Sequence, residues 1–197
     1  MFSIRILSAL LVCAIAGLSY GCRSTTSASW EQGAVDLSGV RMEMDGYDQE
    51  KPWRGAVAAK GGALNKARFM WTGEALYGQL ETYEKLPQEA GARLRVTIRS
   101  GERTVRLYLA PQPNDDVPLR LAEVTLQRGA EAIPKPMPTG RIDFASVTCL
   151  TCGDPWFSEF RMPWPVLTDA AAPNRFTVAV DRLVPERQTE PLEVTRE

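Results

Sequence analysis

An all-β fold, an antiparallel two-sheet β-sandwich, is predicted by three features of the chain. Short apolar runs alternate with polar residues at every second position. Many of the 15 glycines and 14 prolines lie between those runs. Apolar residues recurring at helical spacing are nearly absent. Many short strands separated by turn residues build a sandwich or a barrel rather than a parallel α/β sheet.

The elements follow in order. Ala67 to Trp71, a turn at Thr72-Gly73-Glu74, and Ala75 to Glu81 form a hairpin. Arg93 to Arg99 is a period-2 strand with Leu94, Val96 and Ile98 on one face and Arg95, Thr97 and Arg99 on the other. Ser100-Gly101-Glu102 turns the chain, and Thr104 to Leu109 returns with Val105, Leu107 and Leu109 inward. Leu119 to Gln127, Arg141 to Val147, Trp156 to Met162 and Arg175 to Leu183 are further strands. Pro134, Pro136 and Pro138 exclude a central strand from 130–140, which reads as an extended loop.

The start of the chain carries a different signal. Arg5 precedes an apolar run from Ile6 to Leu18, and Leu18-Ser19-Tyr20-Gly21-Cys22 closes it. A run of roughly 13 residues is too short to cross a bilayer, which needs about 20. The pattern reads as a bacterial secretory signal over residues 1–21, with Cys22 the lipidated first residue of the exported chain. A cleaved signal with Cys22 near the cut by chance is the competing reading. Residues 22–34 begin with small polar side chains and read as a flexible tether; 35–185 form the sandwich, and 186–197 a charged, frayed tail. Arg23 stands where enterobacterial inner-membrane lipoproteins carry aspartate, which favours the outer membrane of the cell envelope.

Composition excludes several classes. The 197 residues contain no histidine, which removes Ser-His-Asp and Cys-His catalysis, imidazole zinc sites and c-type haem ligation. Without residues 1–21 the chain loses one charge, Arg5, and keeps 22 basic and 24 acidic residues. No single-sign field favours nucleic acid. The expectation is therefore a binding protein and no enzyme. A glycosidic carboxylate pair using Glu159 has no second acid that the spacing identifies.

Three segments in order carry a resemblance: Met44-Asp45-Gly46-Tyr47-Asp48 through Trp53; the hairpin around Trp71 and Leu76-Tyr77; and Trp156-Phe157-Ser158-Glu159-Phe160-Arg161-Met162-Pro163-Trp164-Pro165-Val166-Leu167. They resemble the family nine carbohydrate-binding modules and their DOMON-like relatives, in which a D-G…D…W opening and a W…L-Y strand precede W-x-x-E-x-x-x-P-W-x-x-L. The resemblance spans about residues 35 to 185. It implies a β-sandwich without catalysis, sugar binding on aromatic platforms and, in some members, structural calcium, for which Asp45 and Asp48 are the candidates here. The chain departs from the family at Arg106, where a glutamate is usual, at Ala110, where an aspartate is usual, and at Thr72, which follows Trp71 in place of an aspartate.

The parity of each strand sorts the aromatic residues. Trp156, Phe160, Met162 and Trp164 share a core-like face, and Trp53 reads as core. Trp71 shares a face with Phe69, which favours the core, and is kept as a ligand candidate. Tyr77 and Tyr108 point opposite to Leu76 and Leu107, and Arg106 lies two residues from Tyr108 on its face. Trp71, Tyr77, Arg106 and Tyr108 are thus the candidate ligand residues. Cys149 and Cys152, exported with the chain, are expected to form a structural disulfide; a redox pair and a metal site are the alternatives. The expected partners are a membrane through the lipid anchor, and carbohydrate or an envelope protein.

Overall fold

A computed structural model of the chain describes residues 25–38, 42–46, 51–61, 64–82, 94–112, 119–148, 156–169, 171–183 and 186–196. Cys22, Cys149 and Cys152 lie outside them, as does Asp48.

The strands are β1 (Thr26–Ser29), β2 (Val57–Ala58), β3 (Lys66–Trp71), β4 (Ala75–Thr82), β5 (Leu94–Ser100), β6 (Arg103–Pro111), β7 (Leu119–Arg128), β8 (Lys135–Met137), β9 (Asp143–Thr148), β10 (Trp156–Pro163), β11 (Arg175–Leu183), β12 (Glu186–Gln188) and β13 (Leu192–Thr195). Two short helices, α1 (Trp30–Gly33) and α2 (Trp164–Thr168), sit at strand ends. The strands make two sheets that form an all-β sandwich. The larger runs β1-β13-β11-β5-β6-β7-β8 with β12 beside β11, and the smaller runs β2-β3-β4-β10-β9. Pairing is antiparallel except between β1 and β13. No helix among the described residues is long and apolar enough to cross a membrane.

Alternation fills the space between the sheets. Leu94, Val96 and Ile98 of β5, Val105, Leu107 and Leu109 of β6, and Val178 and Val180 of β11 are all fully buried. They face Phe69, Leu76, Leu80, Phe160 and Met162 of the smaller sheet within one core. Gly78 interrupts β4 for a steric reason: a Cβ there would lie 2.2 Å from Phe160 Cε1. Packing tolerates no such overlap, so the glycine makes room for the ring on β10.

Four rings close one end of the core. Phe176 lies 5.2 Å from Trp164, 5.4 Å from Trp71 and 6.2 Å from Trp30, centroid to centroid. The Trp71 Nε1–H donates to Trp30 O at 2.8 Å, and the Trp164 Nε1–H donates to Thr72 O at 2.9 Å. Both buried indole N–H groups are satisfied, as burial of so large a side chain requires. The Arg196 guanidinium stacks over Trp30 at 4.6 Å.

Both chain ends depart from expectation. Residues 26–34 are not a flexible tether, because Thr26–Ser29 form β1 and Trp30 is buried in the ring cluster. Residues 186–197 are not a frayed tail, because β12 and β13 join the larger sheet and Leu192 and Val194 are fully buried. Charged neighbours hide a two-residue alternation at Leu192 and Val194, and the polar side chains of β1 suit an edge strand. The loop 130–140 also contains an edge strand, β8, whose Pro136 sits where no further strand pairs.

Truncation after Glu190 is expected to lower Tm by about 6–24 °C. Losing buried Leu192 and Val194 forfeits about 1.5–3 kcal/mol each, and 1 kcal/mol moves Tm by about 2–4 °C in a chain of this size. A thermal scan showing no change would return the segment to the status of a tail.

Candidate functional site

The two outer faces of the sandwich differ. Outside the smaller sheet, residues 35–38, 42–46 and 51–56 lie over β3 and β4, where Trp53, Met70, Ala75 and Tyr77 form a second apolar cluster with Val35, Leu37, Met42 and Met44. Polar groups lie beneath the same cover. Arg68 donates through Nε and Nη2 to Gln79 Oε1 and through Nη1 to Trp53 O, and it lies 5.8 Å over the Trp53 ring. Glu159, opposite Gln79 in register, is fully buried and accepts the Gly46 N–H at 3.1 Å.

That cover decides the fate of two candidate residues. Trp71 is fully buried between the sheets and offers no platform to a ligand. Tyr77 does point away from the core, but it is only 6 % exposed, and its hydroxyl accepts from Arg161 Nε at 3.3 Å. Hydrogen bonds from Arg161 to Tyr77 and Asp143 outweigh the opposing effect of burial and hold the Arg161 pKa above the usual arginine value. Trp53 is buried as expected, but outside the smaller sheet rather than between the sheets.

The outer face of the larger sheet keeps the other two candidates together. Arg106 and Tyr108 stand two residues apart on β6, side by side and half-buried. The register places Tyr108 between Arg95 on β5 and Glu123 on β7, and Arg95 beside Asp181 on β11. The row therefore reads Glu123, Tyr108, Arg95, Asp181 across four strands. Arg95 Nε donates to Asp181 Oδ2 at 2.8 Å, and Nη2 lies 2.7 Å from the same oxygen. Burial disfavours the Arg95 charge, yet the hydrogen bond and attraction from Asp181, with help from Tyr108, raise its pKa. The pKa rises from an already alkaline value. The stabilisation is therefore complete throughout ordinary pH and disappears only in strong alkali, as the guanidinium loses its proton. Arg106 Nη1 donates to Gln127 Oε1 at 2.8 Å, and Gln127 Nε2 in turn donates to Gly129 O and Ala130 O.

This face presents guanidinium donors, a phenol and the Glu123 carboxylate in fixed register, with Asp181 buried beneath Arg95. Such groups hydrogen-bond hydroxyls and carboxylates of a ligand. Sequence reasoning found Arg106 and Tyr108 from strand parity, but missed Arg95 and Asp181. Both are outward on their strands, and only the β5–β11 pairing, 86 residues apart in sequence, makes them partners.

The calcium candidates gain little. Asp45 is exposed, Asp48 lies outside the described residues, and no group of three or more acidic or cysteine side chains among the described residues is placed to hold a metal ion. A cavity of about 350 Å³ opens between the β7 and β9 edges, lined by Leu119, Leu121, Ile142, Phe144 and Ser146.

Comparison with protein-family models and with curated proteins finds no match to this chain. The likeness to family nine carbohydrate-binding modules therefore rests on its quoted residues alone.

Arg95→Ala is expected to destabilise the fold by about 1–2 kcal/mol, since it strips Asp181 of a close cation. Arg106→Ala should cost less than about 1 kcal/mol, because Gln127 keeps its backbone acceptors. Urea unfolding of both variants tests the difference; equal losses would deny Arg95 its special place in the row.

Proposed function

We propose that this chain is a lipid-anchored, non-catalytic binding module of the bacterial cell envelope, held through Cys22, with the outer face of β11-β5-β6-β7 as its ligand surface and carbohydrate as its ligand. The observation that carries the reading is the side-by-side placement of half-buried Arg106 and Tyr108 on a sheet face that no other described segment covers, with Arg95 fixed beside Tyr108 by Asp181. The absence of histidine supports a role without catalysis. The signal-like residues 1–21 and Arg23 after Cys22 support export and the outer membrane. Trp71 and Tyr77 are withdrawn from any platform, so recognition falls to hydrogen bonding around one phenol ring rather than to stacking along several. Two arginines on the face favour glycans that carry carboxylates.

Docking of an envelope protein is the second reading. The burial of Trp71 and Tyr77 favours it, as does the alternation of charge along the Glu123-to-Asp181 row, a pattern that sets register between partners.

A glycan array and melting shifts with xylan, cellulose and peptidoglycan fragments separate the two. The carbohydrate reading predicts a shift with one glycan class, weakened about 5- to 30-fold by Tyr108→Ala or Arg106→Ala, as expected when a bond worth about 1–2 kcal/mol is lost. No shift with any glycan, together with recovery of one defined envelope protein that those substitutions release, would transfer the function to the second reading.

A further inference from the structure

The strand register lays out the outer face of the larger sheet as a grid. Arg106 stands opposite Thr97 of β5 and Thr125 of β7. Two residues along β6, Thr104 stands opposite Arg99 and Gln127. Arg99 and Arg106 are therefore diagonal neighbours, about 7–8 Å apart at the strand. Thr97 and Thr104 fill the other two corners of the same square. All four side chains point outward, because Val96, Ile98, Val105 and Leu107 beside them in sequence are fully buried in the core.

Neither guanidinium of the square meets a carboxylate. Arg99 is exposed and takes part in no hydrogen bond or ion pair among the described residues. Arg106 bonds through Nη1 to neutral Gln127 and so uses one of its five N–H donors. Glu123 and Gln127 lie two residues to either side of Thr125, which puts a carboxylate and an amide at the two diagonals of Arg106. The guanidinium turns to the amide, on the side where Arg99 stands. Other carboxylates of this face are engaged, Asp181 with Arg95 and Glu193 with Arg175. Two like charges thus border Thr104 with no acid between them among the described residues, although like charges repel. Thr104 is itself only 5 % exposed, and its hydroxyl has no partner among the described residues. The Thr125 hydroxyl, opposite Arg106, is buried and also unbonded. Buried polar groups are rarely left so.

We propose that the square of Thr97, Arg99, Thr104 and Arg106 is a subsite for a doubly charged oxyanion, the phosphate monoester group of a ligand. The inference rests on the reading of this face as the ligand surface, and adds a phosphate to the acidic groups that the face can take. Two unpaired positive charges match two negative ones, and guanidinium forks fit phosphate oxygens. A single carboxylate leaves one cation unbalanced. Arg95 contributes no free charge, since Asp181 neutralises it. The subsite therefore lies beside the Glu123-to-Asp181 row rather than on it. Thr97 and Thr104 add hydroxyl donors between the two arginines.

The test titrates the full chain with inorganic phosphate, glucose 6-phosphate, glucuronate and glucose by isothermal calorimetry. Both phosphate probes are expected to bind, and glucuronate more weakly than glucose 6-phosphate. Arg99→Gln removes an exposed, unbonded side chain and should weaken glucose 6-phosphate about 10-fold or more, the worth of one charge-assisted hydrogen bond. Arg106→Gln should act alike. Arg120→Gln removes an equal charge from β7 opposite Ala110, six residues from Thr104 or about 20 Å, and should change little. Equal weakening by Arg120→Gln would reduce the effect to net charge and overturn the subsite, as would glucuronate binding as tightly as glucose 6-phosphate. No binding of either phosphate probe, while a glycan still shifts the melting temperature and Tyr108→Ala abolishes that shift, would overturn the subsite and leave the ligand surface standing. Failure of every phosphate probe and every glycan would remove both.

Discussion

The packing of Trp30, Trp71, Trp164 and Phe176 is the constraint on which the rest of the molecule depends. The four rings come from α1, β3, α2 and β11, and so from both sheets and from a segment that lies before either core hairpin. Each ring buries a large apolar area, and offset or tilted contacts among them add to that burial. The Trp71 bond to Trp30 O fixes the N-terminal segment on the smaller sheet, while β1 pairs with β13 in the larger. One cluster thus joins the first described strand to the last, and both layers to each other.

The same period-2 alternation that builds the core also creates two outward faces, and these have opposite fates. Over the smaller sheet the segment around Trp53 closes down, held by Arg68 and by the Gly46–Glu159 bond. A carboxyl group as deeply buried as Glu159 needs hydrogen-bond partners, and the Gly46 N–H supplies one. Among the described residues nothing comparable lies across Arg106 and Tyr108 on the larger sheet, and both stay half-exposed. The two faces thus differ among the described residues: one is sealed by the segment around Trp53 and the other is not.

Much of the fold was legible in the residues. Leu94, Val96 and Ile98 announce an inward strand face, and the two hairpins at 72–74 and 100–102 lie where glycine allows the turn. The same face for Arg106 and Tyr108 also follows from their spacing. Less legible were the ends: Leu192 and Val194 are two apolar residues in a charged stretch, too few to signal a strand without knowledge of the partner waiting for them. The spacing of Tyr77 gives its direction away from the core but not the segment that covers it.

Local alternation and turn chemistry settled the all-β class, most strand positions and the side on which each residue stands, since the pleat of a strand sets side-chain direction every two residues. Tertiary structure alone settled which outward face is covered, that Trp71 is interior, and that Arg95 meets Asp181. Those outcomes depend on contacts such as Gly46 with Glu159, 113 residues apart. No short-range pattern encodes such a meeting, because it exists only once both sheets have closed on their common core.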